Sequence, residues 1–161
     1  SQHELFSLLD KGQISIEDFA DGLIKDYSLN GSQEAVIQGW EDLLIGVIPG
    51  RIEAIEKLSK QYRLALLSNT NEFHYHVYKD ACEPMFKHFE HLFFSFEMSM
   101  RKPDAEIYES ALERADWLAA ETLFLDDSQK NIEGANAVGL HTFRIRQHSD
   151  FDRMLELYLA D

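Results

Sequence analysis

The spacing of apolar residues changes once along this chain, near Tyr62, from the period of helices to that of strands alternating with helices. Upstream, Ser15-Ile-Glu-Asp18 has the spacing of a helix-opening capping box, with Asp in the place of Glu. Ile16, Phe19, Leu23 and Ile24 follow at helical intervals. A second helix is predicted from about Ser32 to Leu44, with Val36, Ile37, Trp40, Leu43 and Leu44 on its apolar side. Pro49-Gly50 interrupts the pattern and opens a third helix, in which Ile52, Ile55 and Leu58 face a core. Residues 1–48 read as helical throughout.

Downstream, Leu64-Ala-Leu-Leu67 is a short uninterrupted apolar run, the pattern of a strand covered on both faces. Leu92-Phe-Phe94, Leu123-Phe-Leu125 and the alternating Thr142, Phe143 and Ile145 predict further strands. Helical segments lie between them at 72–89, 104–115 and 129–138, the last closed by Gly139 as a C-terminal cap. Strands alternating with helices predict an α/β fold with a parallel sheet and right-handed crossovers. The expected organisation is a helical block, 1–48, followed by an α/β block, 49–161.

Charge narrows the function. Fifteen Lys and Arg against 29 Asp and Glu leave a net charge of −14. That acidity repels nucleic-acid phosphates, and the densest basic cluster, Arg144 with Arg146, is too small to offset it. No apolar run approaches membrane-spanning length, and Ser1-Gln-His-Glu has neither the basic flank nor the apolar stretch of a secretion signal. A single cysteine, Cys82, excludes an internal disulfide. A reducing, cytoplasmic setting is expected. With Ser1 in place of Met, a processed, tagged or truncated start is expected.

Three polar clusters fall at the predicted sheet edge. Ser68-Asn69-Thr70-Asn71 follows the first strand and Asp126-Asp127 the third. Ligands of open α/β sheets bind beyond the carboxyl ends of the strands, so these two clusters are expected to share a crevice. Ser68 and the N–H groups after it suit a phosphate oxygen, and Ser-Asn-Thr-Asn equally suits a turn. The third cluster is Arg101-Lys102-Pro103-Asp104. Pro103 fits the first position of a helix, which puts Lys102 near the N-cap, where a bound anion would offset two positive neighbours. A solvated lysine is the plainer reading. Asp126 and Asp127, about 4 Å apart, would repel by roughly 4 kcal/mol at an effective dielectric near 20. A lysine or Mg²⁺ would relieve that repulsion. Alternatively one acid caps the next helix and the other is solvated.

Taken together, Leu-Leu-Ser68-Asn69-Thr70-Asn71, Arg-Lys102-Pro103 and Leu-Phe-Leu-Asp126-Asp127-Ser-Gln-Lys-Asn131 resemble the second, third and fourth motifs of the haloacid dehalogenase superfamily. Gly12-Gln-Ile-Ser15-Ile-Glu-Asp-Phe19, His74 and Glu133-Gly-Ala-Asn136 are similar to the branch holding sugar-phosphate phosphatases such as glucose-1-phosphatase. The resemblance implies a Rossmann-like parallel sheet with residues 1–48 as a helical cap. It implies that Ser68 and Asn69 bind the transferring phosphoryl group, Lys102 neutralises it, Asp126 and Asp127 hold Mg²⁺, and Asn131 orients them. The substrate implied is a small phosphorylated metabolite of the sugar-phosphate class. An aspartate would attack phosphorus and water would hydrolyse the resulting acyl phosphate.

The family's first motif is an apolar strand ending in Asp-x-Asp, central in the sheet and ahead of the cap. Its absence from this sequence is the chief departure. Asp10 lacks a second acid at the right spacing, and Asp150-Phe151-Asp152 is read as a helix cap. The expectation is that a parent protein carries the motif upstream of Ser1 and that these 161 residues alone are inactive. A dehalogenase and a non-catalytic phosphate-binding module are the alternatives, the former leaving the acid pair unexplained. The histidines 74, 76, 88 and 91 are not read as metal ligands, Phe86, Phe89, Phe93, Phe94 and Phe96 are read as core, and Trp40 is read as cap packing.

Overall fold

In the computed structural model, residues 2–159 are described, with side chains from Glu4 onward; Ser1, Ala160 and Asp161, the outer ends of the two expected blocks, lie outside them. Helices α1 (Gln2–Asp10), α2 (Ile16–Tyr27) and α3 (Gln33–Glu41) come first, then α4 (Arg51–Ser59). The α/β part follows as β1 (Ala65–Ser68), α5 (Glu72–Phe86), β2 (His91–Phe94), α6 (Ser95–Met98) and α7 (Ala105–Ala115). It ends with β3 (Leu123–Asp126), α8 (Gln129–Ala137), β4 (His141–Arg144) and α9 (His148–Tyr158). No helix among the described residues is long and apolar enough to cross a membrane.

Side-chain caps set several helix starts. Ser15 Oγ accepts from Asp18 N at 3.0 Å, Ser32 Oγ from Ala35 N at 3.3 Å, and Asn71 Oδ1 from His74 N at 2.9 Å. Each such cap contributes about 1 kcal/mol. The second helix stops at Glu41 rather than Leu44. The apolar residues beyond it find little to pack on: Leu43 is 62% exposed and Ile45 95%. The helical block instead closes on Phe6, Phe19 and Trp40, with ring centroids 4.9–5.5 Å apart. Trp40 then stacks on His74 of α5, with centroids 5.1 Å apart, while its carbonyl meets His74 Nε2 at 2.9 Å. That contact seats the helical block on the α/β part beside the end of β1.

The α/β core holds Phe93, Ile107, Tyr108, Ala111, Ala115, Ala135 and Leu140. Ile107 and Tyr108 are 0% and 1% exposed, and burial of such side chains is worth roughly 1.5–3 kcal/mol each. Phe93 and Phe94 are buried as expected, whereas Phe86, Phe89 and Phe96 are half-buried.

Both strand pairs are parallel. β1 lies on β2 with Ser68 opposite Phe94, and β3 on β4 with Asp126 opposite Arg144. The two ladders are separate, and no described strand joins β1 to β3. A groove of about 580 Å³ adjoins them, lined by Leu64 just ahead of β1, by Leu123 and Leu125 of β3 and by Met154 of α9 among others. A hollow of about 80 Å³ is lined by residues of both ladders and of α7, among them Leu67, Phe93, Tyr108 and Phe124. Every residue of β1 and β3 is consequently half-exposed, where full burial of the first strand was predicted. Strands need neighbours on both edges to be covered as the sequence pattern anticipates.

Candidate active site

Lys102 joins the two ladders. Its ammonium donates to Leu67 O at 2.8 Å, near the end of β1, and to Asp126 Oδ2 at 2.7 Å, at the end of β3. Both side chains of the ion pair are buried, at 9% and 6% exposure. The ring of Phe124 lies 5.3 Å from the ammonium and adds a weaker attraction.

Several contacts fix the lysine's backbone. Asn69 accepts from Lys102 N through Oδ1 at 2.9 Å and donates to Lys102 O through Nδ2 at 2.9 Å, a reciprocal pair. The side-chain amide of Asn69 is thereby committed, which leaves its backbone N–H as the group able to face a ligand. From below, α8 comes so close that a Cβ on Gly134 would collide with Pro103 O and lie 3.1 Å from Tyr108 Cε2. Gly134 is therefore a close-approach glycine. The helix after Pro103 begins later than the sequence implied. Asp104 is the N-cap of α7, the Lys102–Pro103 peptide is cis, and Lys102 precedes the cap by two residues. Its ammonium turns to β3 rather than remaining at the helix terminus. The reciprocal bond with Asn69 is a long-range constraint that helix-start preferences cannot anticipate.

Asp126 accepts from three donors. Besides Lys102, its Oδ1 accepts from Ser128 N at 2.8 Å and from Asn131 Nδ2 at 2.9 Å. Burial pushes its carboxyl up, but the attraction and hydrogen bond of Lys102, helped by Ser128 and Asn131, outweigh burial and hold it below the ordinary Asp value. Asn131 is braced in turn, since Tyr108 OH donates to its carbonyl at 2.8 Å. Burial, with Asp126 and Asp104 nearby, raises the Tyr108 phenol far above its usual range, so it stays protonated as a donor. Tyr108 reads as an ordinary core aromatic in sequence, and nothing there marks its second role.

Asp127 differs sharply from its neighbour. It is exposed, and its carboxylate makes no hydrogen bond or ion pair among the described residues. Arg144 flanks it, donating to the Asp127 carbonyl at 3.0 Å and to Gln129 Oε1 at 3.0 Å. Among the described residues no group of three or more His, Cys, Asp or Glu forms a ready-made cation cage. The donors nonetheless suit Mg²⁺, a hard cation that binds one or two carboxylates and completes its shell with water and phosphate. Asp127 offers an unencumbered carboxylate. Asp126 has one acceptor position left of about four.

Ser68 ends β1 half-buried, next to Leu67, whose carbonyl holds Lys102. Ser68, Asn69, Lys102, Asp126 and Asn131 thus lie around one sheet edge, with Asp127 directly adjoining. The other acids weighed from sequence are engaged elsewhere. Asp10 pairs with Arg101 at 3.1 Å, and Asp152 with Arg51 at 2.7 Å. Asp150 caps α9 from inside its first turn, accepting from Arg146 N and Gln147 N. His74 packs on Trp40, and burial raises the Cys82 thiol, consistent with an unactivated side chain.

Residues 10–139 match the family model described as haloacid dehalogenase-like hydrolase. The chain is similar to a D-ribitol-5-phosphate phosphatase of Bacteroides thetaiotaomicron, 28% identical over 166 aligned positions that cover 98% of the chain and 79% of that protein. It is also similar to a sesquiterpene phosphatase of Aspergillus oryzae, 48% identical over 52 residues, or 32% of the chain and 26% of that protein. Among solved structures, a HAD-family enzyme of Bacteroides thetaiotaomicron in complex with magnesium and inorganic phosphate superposes with a TM-score of 0.77. It is 29% identical, with 93% of this chain and 78% of that one covered.

Proposed function

Because the chain belongs to the haloacid dehalogenase-like hydrolases, we propose that it forms the greater part of a Mg²⁺-dependent phosphomonoesterase for a small phosphorylated metabolite of the sugar-phosphate class. The observation that carries this reading is the Lys102 ammonium, buried between the carbonyl near the end of β1 and the carboxylate ending β3. The sugar-phosphate class draws further support from the similarity to a D-ribitol-5-phosphate phosphatase.

Ser68 Oγ and the Asn69 N–H hold phosphoryl oxygens, and Lys102 neutralises charge that builds on them. Asp127, with the remaining acceptor position of Asp126, holds Mg²⁺, and Asn131 keeps Asp126 in register. Bound there, the cation supplies Lewis-acid stabilisation of the phosphoryl oxygens. The nucleophile belongs on an apolar strand seated between β1 and β3, which share no hydrogen bonds with each other and adjoin a groove that Leu123, Leu125 and Met154 help to line. Its aspartate carboxylate forms a bond to phosphorus as the P–O ester bond breaks and the alcohol leaves with a proton from the motif's second acid, and water then cleaves the acyl phosphate to inorganic phosphate, restoring the carboxylate and returning a proton to that acid. The helical block, residues 1–48, acts as a cap over this edge, docked through Trp40 and His74.

The test has two arms. The 161-residue chain, without a strand in the groove, is expected to bind Mg²⁺ and inorganic phosphate in calorimetry yet turn over no p-nitrophenyl phosphate. A protein supplying that strand is expected to hydrolyse p-nitrophenyl phosphate and sugar phosphates, with Mg²⁺ required. Turnover that survives chelation or Asp127→Ala overturns the proposal.

A further inference from the structure

The turn between α1 and α2 grips the loop that carries Lys102 from the side of the helical block. Asp10 Oδ2 pairs with Arg101 Nη2 at 3.1 Å, and Lys11 Nζ with Asp104 Oδ2 at 3.3 Å. The two ion pairs run in opposite senses, acid to base and base to acid, and flank Lys102 on either side. The next residue, Gly12, has φ +65°, and a Cβ there would lie 2.9 Å from Phe96 O. The turn therefore sits directly on the backbone of α6. The Asp10 and Arg101 side chains are only 17% and 28% exposed, so this pair is better shielded than an ordinary surface bridge.

Building on the phosphatase reading, we propose that Asp10 and Lys11 are positioning residues for Lys102: through Arg101 and Asp104 they hold its loop in register with β1 and β3 while the helical block is docked. Asn69 fixes the lysine's own peptide from the core side. Asn69 and the close approach of Gly134 to Pro103 hold residues 102 and 103 at the centre of the loop, about which its two ends can still pivot. Grips at 101 and 104 remove that pivot, which is the condition for an ammonium to meet two acceptors at 2.7 and 2.8 Å. The helical block and the anion site are then coupled, because undocking one releases the other.

Asp10→Asn separates positioning from simple electrostatics by sign. Removing a negative charge near an anion site would by itself tighten phosphate binding. Loss of positioning weakens it, roughly tenfold if one charge-assisted contact is lost. Burial raises the Asp10 carboxyl above the ordinary Asp value despite Arg101 and His74, so the neutral variant is expected to keep its melting temperature. Two measurements on the full chain decide. One is the proton-exchange rate of the Lys102 ammonium by nitrogen-15 NMR, expected to rise about tenfold in Asp10→Asn and Asp10→Arg as its hydrogen bonds loosen. The other is the affinity for inorganic phosphate with Mg²⁺ present. The charge-exchanged double variant Asp10→Arg/Arg101→Asp is expected to recover both relative to Asp10→Arg. An unchanged Lys102 exchange rate in the single variants, or tighter phosphate binding by Asp10→Asn, overturns the inference. If the unaltered chain binds no phosphate, the phosphatase reading fails while the exchange rates still judge the positioning role.

Discussion

Replacing Lys102 by Met tests the centre of the site through stability alone. The change keeps much of the side-chain volume but deletes an ammonium that meets Asp126 at 2.7 Å and Leu67 O at 2.8 Å. Asp126, 6% exposed, is left with its charge and without its main partner. Breaking a buried pair from one side typically costs 3–5 kcal/mol. Ser128 N and Asn131 Nδ2 continue to donate to Asp126, so the lower end, about 3 kcal/mol, is expected at pH 7. The sign of the pH dependence follows from Asp126. Its folded carboxyl titrates below the ordinary Asp value, so it contributes stability above that value, which is lost as pH falls through the folded one. In Lys102→Met the largest lowering influence is gone and burial dominates, so the carboxyl takes its proton at higher pH. The stability gap between the two proteins must therefore shrink as pH is lowered from 7 toward 3. Urea unfolding at three pH values measures the gap, and Lys102→Met/Asp126→Asn should close much of it at pH 7. A gap below about 1 kcal/mol at pH 7, within the range of a surface bridge, or one that widens in acid, would refute the argument.

Three further outcomes are expected. Gly134→Ala should destabilise by about 1–3 kcal/mol in urea because its Cβ meets the Pro103 carbonyl, although Ala favours helices over Gly by about 1 kcal/mol; a more stable variant would mean that the Lys102 loop can yield. Asp127→Asn should leave the unfolding free energy in urea within about 0.5 kcal/mol of the parent while calorimetry shows Mg²⁺ affinity lost, and retained affinity would exclude Asp127 as the principal ligand. Asn131→Ala should cost about 1 kcal/mol and raise the Asp126 carboxyl, seen by carbon-13 NMR titration; an unmoved titration would show that Ser128 and Lys102 suffice.

What was legible in sequence was mostly local. The run Leu64–Leu67 predicts β1 to within a residue, and Ser15 and Ser32 cap the helices they were expected to open. Ser68 and Asp126 end their strands as their places after apolar runs predict, and strand ends in a parallel sheet share one edge. Long-range specifics were not readable. Pro103 suggested a helix start, but the bond between Asn69 and the Lys102 peptide, 33 residues away, sets the loop, and α7 begins at Ala105. Tyr108 and Gly134 act on the site through packing between α7 and α8, which leaves no chemical signature. Asp10 was weighed as a nucleophile, and its actual partner, Arg101, lies on the far side of the chain from it in sequence.

The adjacent acids illustrate how a charge conflict in sequence is resolved in space. Side by side, Asp126 and Asp127 would repel by roughly 4 kcal/mol at an effective dielectric near 20. Asp126 closes β3 and turns inward onto Lys102, while Asp127 follows it beyond the strand and stands in solvent. Asp127 lies outside the strand, so burial of the Asp126 carboxylate against Lys102 does not force its neighbour to be buried with it. Lysine relieves one charge and water the other, which means the acid pair does not depend on a cation to be tolerated in the fold. Lys102, Asp126 and Asn131 already hold one another in place, and Asp127 remains uncommitted. A cation held there as proposed would add stability only by mass action, as any ligand of the folded state does.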